Sequence, residues 1–100
     1  MYRGTTPTHI FTLPFDVSVV KTAKIIYSQF GRAILTKTGD ALELTGQQIQ
    51  TKLTQEDTLT FDCKADVFIQ LRVLTVDGDA LASNILQVPV GRCLDNEVLK

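Results

Sequence analysis

The sequence predicts an all-β domain, most specifically an immunoglobulin-like antiparallel β-sandwich of about seven strands. One basis is the segment 66–90, which is β-branched and apolar on both sides of Asp77-Gly78, a dipeptide that favours a tight hairpin turn. Another is the recurrence of short apolar or alternating runs between Gly, Pro and Asp, with no long helical pattern. A small open β-barrel would use the same strands and is the structural alternative.

Residues 1–40 contain three predicted strands. Thr8 to Leu13 is the first, and it ends at Pro14, which cannot donate a hydrogen bond to a neighbouring strand. Ala23 to Gln29 and Arg32 to Lys37 flank Phe30-Gly31, and this arrangement predicts a second hairpin.

Two further strands and one helical turn are predicted before the long hairpin. Ala41 to Leu44 is a short strand, Gly46 interrupts the pattern, and Gln48 to Leu53 alternates polar and apolar residues. Thr54 followed by Gln55, Glu56 and Asp57 has the pattern of a helix cap, so we expect a single helical turn there.

Length and charge limit the classes of function. The chain has 100 residues, which suits a single domain over residues 1–100. Ten basic and eleven acidic residues give a formal net charge of -1, without the basic stripe that nucleic-acid binding requires. No apolar run is long enough to span a bilayer, and the N-terminal residues lack the apolar stretch of a secretory signal. We therefore expect synthesis in the cytoplasm, and neither nucleic acid nor membrane as a partner.

A two-residue turn at Asp77-Gly78 would fix the pairing of the long hairpin and assign its two faces. On the core side the predicted pairs are Val67 with Val88, Ile69 with Leu86, Leu71 with Asn84, and Val73 with Ala82. On the outer side they are Phe68 with Gln87, Gln70 with Ile85, Arg72 with Ser83, and Leu74 with Leu81.

The outer side of this hairpin is too apolar for an ordinary solvated face. Large apolar groups around a few polar ones, with an Arg among them, are typical of protein interfaces. Either another part of the same chain covers this face, or another protein does. The residues predicted to make protein contacts are Phe68, Gln70, Arg72, Leu74 and Ile85.

Catalytic and metal-binding patterns are sparse, and we predict no enzyme, no cofactor and no metal. His9 is the single histidine, and a simple structural hydrogen bond is its expected role. Cys63 and Cys93 lack the spacing of a zinc site. They fall one residue out of alignment across the long hairpin, so a β-bulge would allow a disulfide, but two reduced thiols are favoured in a reducing cytoplasm. Acidic pairs such as Asp77 with Asp79, or Asp62 with Asp66, match turn chemistry better than a calcium site.

The opening Arg3-Gly4-Thr5-Thr6-Pro7-Thr8-His9, continued by Phe11-Thr12-Leu13-Pro14-Phe15-Asp16, resembles that of a family of small uncharacterised proteins from prophages and phages of Gram-positive bacteria. The segments 26–29, 53–58 and 69–75, with Ala80, Ala82 and Ser83, are similar too. The resemblance implies a phage context, with synthesis in the bacterial cytoplasm and incorporation into a virion left open, but no catalytic residues. At the level of fold, the chain is also distantly similar to the N-terminal domain of phage baseplate upper proteins, which are structural adaptors.

These expectations combine into a predicted function. The domain is expected to be a structural or assembly protein of a phage or prophage, associated with the tail or baseplate, that binds other phage proteins or itself as a homo-oligomer. Arg3, Thr5, Thr6 and Pro7 lie in an extended segment that is either an assembly arm, able to join a neighbouring sheet edge, or the frayed leader of an ordinary first strand. The alternative function is a carbohydrate-binding module for a host surface, for which Tyr2, Tyr27 and the five Phe residues are the available aromatic platforms.

Overall fold

The computed structural model describes residues 1–100 as eight strands, two 3-10 turns and one short helix. The 3-10 turns are Val17–Val19 and Gly39–Ala41, and the helix is α1 (Gln55–Leu59). The strands are β1 (Thr8–Thr12), β2 (Val20–Gln29), β3 (Arg32–Thr38), β4 (Glu43–Thr45), β5 (Gln48–Lys52), β6 (Val67–Thr75), β7 (Ala80–Ala82) and β8 (Leu86–Val88). None of the helical segments has the length and apolarity that a membrane crossing requires.

The strands form two antiparallel sheets, and this confirms the predicted immunoglobulin-like β-sandwich. The three-stranded sheet has the order β1-β5-β4. The five-stranded sheet has the order β3-β2-β6, and both β7 and β8 pair with the free edge of β6. There are eight strands rather than about seven because the second arm of the long hairpin is divided into β7 and β8.

One hydrophobic core lies between the two sheets. Alternation along each strand points one row of side chains inward, as the period of two requires. The three-stranded sheet and its flanks contribute Phe11, Leu13, Ile49 and Leu53. The five-stranded sheet contributes Ala23, Ile25, Tyr27, Val67, Ile69, Leu71 and Val73.

The short local elements agree closely with the sequence patterns. Thr54 caps helix α1: its hydroxyl accepts from the Asp57 N–H at 3.1 Å, and the Asp57 carboxylate accepts from the Thr54 N–H at 2.9 Å. The predicted cap and helical turn are therefore present, and the two hydrogen bonds together form a capping box. The hairpin at Phe30-Gly31 is also present, and both of its turn residues have positive φ, 55° and 76°. That is the geometry of a type I′ turn.

The turn of the long hairpin differs from the prediction. The Thr75 N–H donates to the Asp79 carbonyl at 2.9 Å, so the loop contains three residues, Val76-Asp77-Gly78. Gly78 alone has positive φ, at 89°. This is the common three-residue loop with glycine in the left-handed position, and it shifts the pairing by one residue relative to a two-residue turn.

The shift changes which side chains β7 presents to each face. Val73 pairs with Leu81 and not with Ala82, and Leu74 pairs with Ala80 and not with Leu81. Leu81 therefore lies on the inner side of the sheet, opposite to the prediction. Arg72 pairs with Ala82 rather than Ser83.

A β-bulge at Ser83 restores the predicted pairing toward the open end of the hairpin. Val67 pairs with Val88, Phe68 with Gln87, and Ile69 with Leu86, as predicted. Two residues of β6, Gln70 and Leu71, thus face three residues between β7 and β8, and the extra residue is the bulge. The Leu71 N–H donates to the Ser83 hydroxyl at 3.0 Å, while the Ser83 N–H donates to the Leu71 carbonyl at 2.9 Å. Ser83 rather than Asn84 is therefore the residue opposite Leu71.

The N-terminal segment, which contains the residues of the predicted assembly arm, is hydrogen-bonded to its own chain and is not frayed. The Arg3 N–H donates to the Gly91 carbonyl at 3.0 Å, and the Arg3 guanidinium donates to the Leu59 carbonyl and the Asn96 side chain, each at 2.9 Å. The Thr5 carbonyl accepts from the Thr58 hydroxyl at 2.8 Å.

The neighbouring residues of this segment are held in the same way. The Thr5 hydroxyl donates to the Tyr2 carbonyl at 2.6 Å, and the Pro7 carbonyl accepts from the Leu53 N–H at 2.9 Å. Thr6, between them, is exposed. With these groups already paired inside the monomer, residues 3–7 have little to offer to a neighbouring sheet edge.

Candidate protein-interaction site

The outer face of the five-stranded sheet is the candidate site, and it is formed mainly by alternate residues of β2 and β6. Strict alternation buries Val67, Ile69, Leu71 and Val73 and turns the intervening residues outward. The outer face is defined here by Lys24, Ile26 and Ser28 of β2, by Phe68, Gln70, Arg72 and Leu74 of β6, and by Ile85 beyond the bulge.

The structure brings the five predicted contact residues onto this one face. Phe68 is 38% exposed and Ile85 is 60% exposed. Arg72 is also exposed, while Gln70 and Leu74 are half-buried. Phe68, Arg72 and Ile85 are therefore accessible to solvent in the monomer, as the predicted intermolecular contact requires.

Ile85 reaches the outer face because of the bulge at Ser83. Without the extra residue, the pairing set by the three-residue loop would place Ile85 opposite Ile69, on the core side. With it, Ile85 and Gln70 line a shallow groove of ≈ 270 Å³, together with Phe68 and Arg72. The bulge therefore adds one large apolar side chain to the surface that the sequence predicts to be an interface.

The positive charges of the outer face are close together and unpaired. Lys24 and Arg72 are directly opposite each other on β2 and β6. Like charges in this position repel. The one ion pair of the chain lies elsewhere, between Lys37 and Asp57 at 2.7 Å. Neither cation of the outer face has a carboxylate partner within its own molecule.

One carboxylate, that of Asp66, lies at the other end of β6 from Arg72. Asp66 precedes β6, and its carboxylate accepts a hydrogen bond from the Gln87 side chain at 2.8 Å. Gln87 is paired with Phe68, so this carboxylate lies at the Phe68 end of the outer face. Arg72 lies six positions further along the chain than Asp66, a distance of roughly 20 Å along a strand.

A second, more apolar groove opens between the two sheets at the β7 edge. It has a volume of ≈ 300 Å³, and Leu81 lines it because the register places that residue inward. The groove's other apolar lining is Phe11, Leu13, Pro14, Phe15, Leu71, Val73 and Ala82. Sequence reasoning missed it because it depends on the three-residue turn, and Asp77-Gly78 fits that turn as well as it fits a two-residue turn.

The single histidine forms a polar link between the sheets. The His9 Nδ1 on β1 lies 2.7 Å from the Tyr27 hydroxyl on β2, and the two rings are 5.5 Å apart. Tyr27 is fully buried, and its ring also contacts Phe61 at 5.8 Å. Burial lowers the pKa of His9, and the positive amino terminus lowers it further. His9 therefore has the structural hydrogen bond that we expected of it.

Tyr27 itself is far from ionising at neutral pH. Burial raises the pKa of the Tyr27 hydroxyl, and the negative charge of Asp57 raises it further. Burial also tends to raise the pKa of Asp57, but the hydrogen bonds from Lys37 and Thr54 outweigh it and hold that pKa below its usual value. These groups form a stable polar region at one end of the core and not a poised acid or base.

The remaining candidate residues are not assembled into a site. Cys63 and Cys93 are free and half-buried. No group of three or more His, Cys, Asp or Glu side chains lies close enough to hold a metal ion. Tyr27 has no exposed surface, so it cannot serve as the aromatic platform of a carbohydrate-binding module.

Comparison with known proteins adds one weak structural similarity. No family model matches the chain, and no curated protein matches it. Among solved structures, the V domain of amphioxus IgVJ-C2 is similar, with 12% sequence identity, a TM-score of 0.34, and coverage of 89% of this chain and 95% of that chain. At this TM-score the similarity carries no argument about partners or activity.

Proposed function

We propose that this domain is a non-enzymatic structural or assembly protein of a phage or prophage, associated with the tail or baseplate, and that it works through protein contacts made by the outer face. The phage context rests on the sequence resemblance of the N-terminal and central segments. The outer face supports a role in binding: Phe68 and Ile85 are large, exposed and apolar, and they adjoin a groove with polar and cationic residues.

The composition of the outer face carries the proposal. Exposed apolar side chains scattered singly are ordinary, but here they share a surface with Gln70 and Arg72 on a rigid sheet. Aromatic side chains, Phe among them, and Arg are enriched in protein interfaces relative to the rest of the surface. A face built on strands also holds these groups without the entropy cost of ordering a loop.

The test is complementation of a phage or prophage that lacks the gene. The double substitution Phe68→Ser and Ile85→Ser is expected to lower the particle yield by roughly tenfold or more, because loss of a central aromatic contact weakens binding by at least that factor. The matched control is Ile10→Ser, since Ile10 is 53% exposed but lies on β1 of the other sheet. Normal yield from the double variant, or an equal defect from the control, contradicts the proposal.

A second measurement tests the phage context separately from the contact face. The protein is expected to be present in purified particles, in the tail or baseplate fraction, when particles are separated by density and probed with an antibody. Its absence from the particles together with normal tail assembly in the deletion strain would contradict a role in virion structure or assembly.

A further inference from the structure

The charges of the outer face are arranged symmetrically about one residue. Asp66 lies three residues before Ile69, and Arg72 lies three residues after it, so each is roughly 10 Å from that point along the strand. Lys24 is directly opposite Arg72 and strengthens the positive end. The strand therefore carries a negative end and a positive end on the same face.

Such an arrangement is self-complementary under a two-fold rotation. Suppose that two outer faces pack together with their β6 strands antiparallel, and that the two-fold axis crosses these strands at Ile69. Asp66 of each copy then lies over Arg72 of the other. The same axis places Phe68 of each copy over Gln70 of the other. The strands of packed sheets cross at about 30°. This angle moves Asp66 and Arg72, each ~10 Å from the axis, only ~5 Å out of alignment, and an Arg side chain can span that offset.

We propose that the outer face binds the outer face of a second copy of this chain, as a two-fold symmetric dimer joined by two Asp66–Arg72 ion pairs. This inference rests on the proposed role of the outer face in protein contacts and names its partner. The occupant follows from charge complementarity. Lys24 and Arg72 repel each other within the monomer and lack a carboxylate, and the carboxylate that the second copy supplies is the one at the other end of the same row.

The apolar residues contribute the buried apolar surface area of the dimer, which the ion pairs cannot supply. Phe68 and Ile26 lie between the charged ends, and Ile85 lies beside Gln70 at the bulge. In the dimer these side chains leave water together, while the charged pairs remain near the rim. Rim charges mainly determine orientation and specificity, so the pairs select the antiparallel arrangement over others.

The decisive experiment is a charge exchange measured by sedimentation equilibrium. Arg72→Asp and Asp66→Arg are each expected to weaken self-association by roughly tenfold or more, because each places like charges at both ends of the interface. An equimolar mixture of the two variants is expected to recover the wild-type association, since both pairs are then opposite in sign. Lys52→Asp, an exposed cation on β5 of the other sheet, is the matched control and leaves association unchanged.

Zero-length crosslinking provides a measurement that needs no substitution. A carbodiimide joins a carboxylate to an amine only when they are in contact, and Asp66 and Lys24 of one chain are separated by roughly 20 Å along the sheet. An amide bond between Asp66 and Lys24, found by mass spectrometry in the dimer band and absent from the monomer band, is the expected result. A dimer with crosslinks only at other residues overturns the proposal.

The outcomes separate this inference from the proposed function. A wild-type chain that stays monomeric up to about 1 mM, or a mixture that fails to associate, overturns the dimer. If particle yield nevertheless depends on Phe68 and Ile85, the outer face binds a different phage protein, and the proposed function stands. If neither association nor particle yield depends on this face, both proposals are wrong.

Discussion

Replacing His9 by Phe is expected to destabilise the fold more than replacing Tyr27 by Phe, although both changes remove the same hydrogen bond. The Tyr27 hydroxyl is fully buried, so His9→Phe leaves it without a partner and without access to water. Leaving such a buried group unpaired costs about 1–3 kcal/mol, whereas the net contribution of a typical hydrogen bond is only ~1 kcal/mol. Tyr27→Phe leaves behind an imidazole that is only half-buried, and the expected cost is about 1 kcal/mol.

Urea unfolding followed by circular dichroism measures this asymmetry. The measurements are made at about pH 8, where the imidazole is neutral in the folded and unfolded states. The double variant His9→Phe with Tyr27→Phe is expected to be at least as stable as His9→Phe alone, because it removes the unpaired hydroxyl. The reasoning is refuted if His9→Phe costs no more than Tyr27→Phe, or if the two costs add within ~0.3 kcal/mol.

Three further predictions concern the polar groups that support the sheets. Because burial lowers the pKa of His9, the imidazole binds a proton less readily in the folded state than in the unfolded chain. The free energy of unfolding is therefore at its full value above about pH 6.5 and decreases as the pH falls below it. His9→Phe should remove this pH dependence of the urea midpoint. Asp57→Asn removes the ion pair to Lys37 and replaces the charged acceptor of the capping box by a neutral amide oxygen. Since the Asp57 and Lys37 side chains are mostly buried, the change should lower the free energy of unfolding by about 2 kcal/mol, measured against Asp40→Asn as an exposed control. Gln29→Leu removes the side chain that donates to two carbonyls and accepts from the Asp62 N–H at 2.9 Å, so hydrogen exchange at that amide should become fast, and retained protection would contradict the role of Gln29 in holding the loop.

The faces of the longest strand could be predicted from sequence because alternation alone determines them. Val67, Ile69, Leu71 and Val73 are inward as predicted, and Phe68 is outward, since a strand with one buried face has a period of two whatever its neighbours do. The same reasoning failed at its turn. Asp-Gly is compatible with both a two-residue and a three-residue loop. Nothing local distinguishes them, because a β-bulge in the partner strand can compensate for the one-residue shift in pairing.

The features that sequence could not supply are those that join distant residues through side chains. The Ser83 hydroxyl, rather than a backbone carbonyl, accepts from the Leu71 N–H. This role depends on the register of β6, twelve residues earlier in the chain. His9 and Tyr27 belong to different sheets, so their contact exists only once the sheets have packed. The Arg3 guanidinium donates to the Asn96 side chain and the Leu59 carbonyl, which are 93 and 56 residues away in the sequence, so the pattern of the N-terminal residues could not predict these contacts.

The contact between residues 1–3 and residues 89–91 has a mechanical consequence. Tyr2 and Gly91 form a parallel bridge, reinforced by hydrogen bonds from Met1 to the Pro89 carbonyl and from Gly91 to the Met1 carbonyl. Two parallel segments pulled in opposite directions along their length are sheared, so all of these bonds carry the load at once rather than breaking one by one. Tension transmitted along the chain would therefore load residues 1–3 and 89–91 in shear before the two sheets themselves are strained.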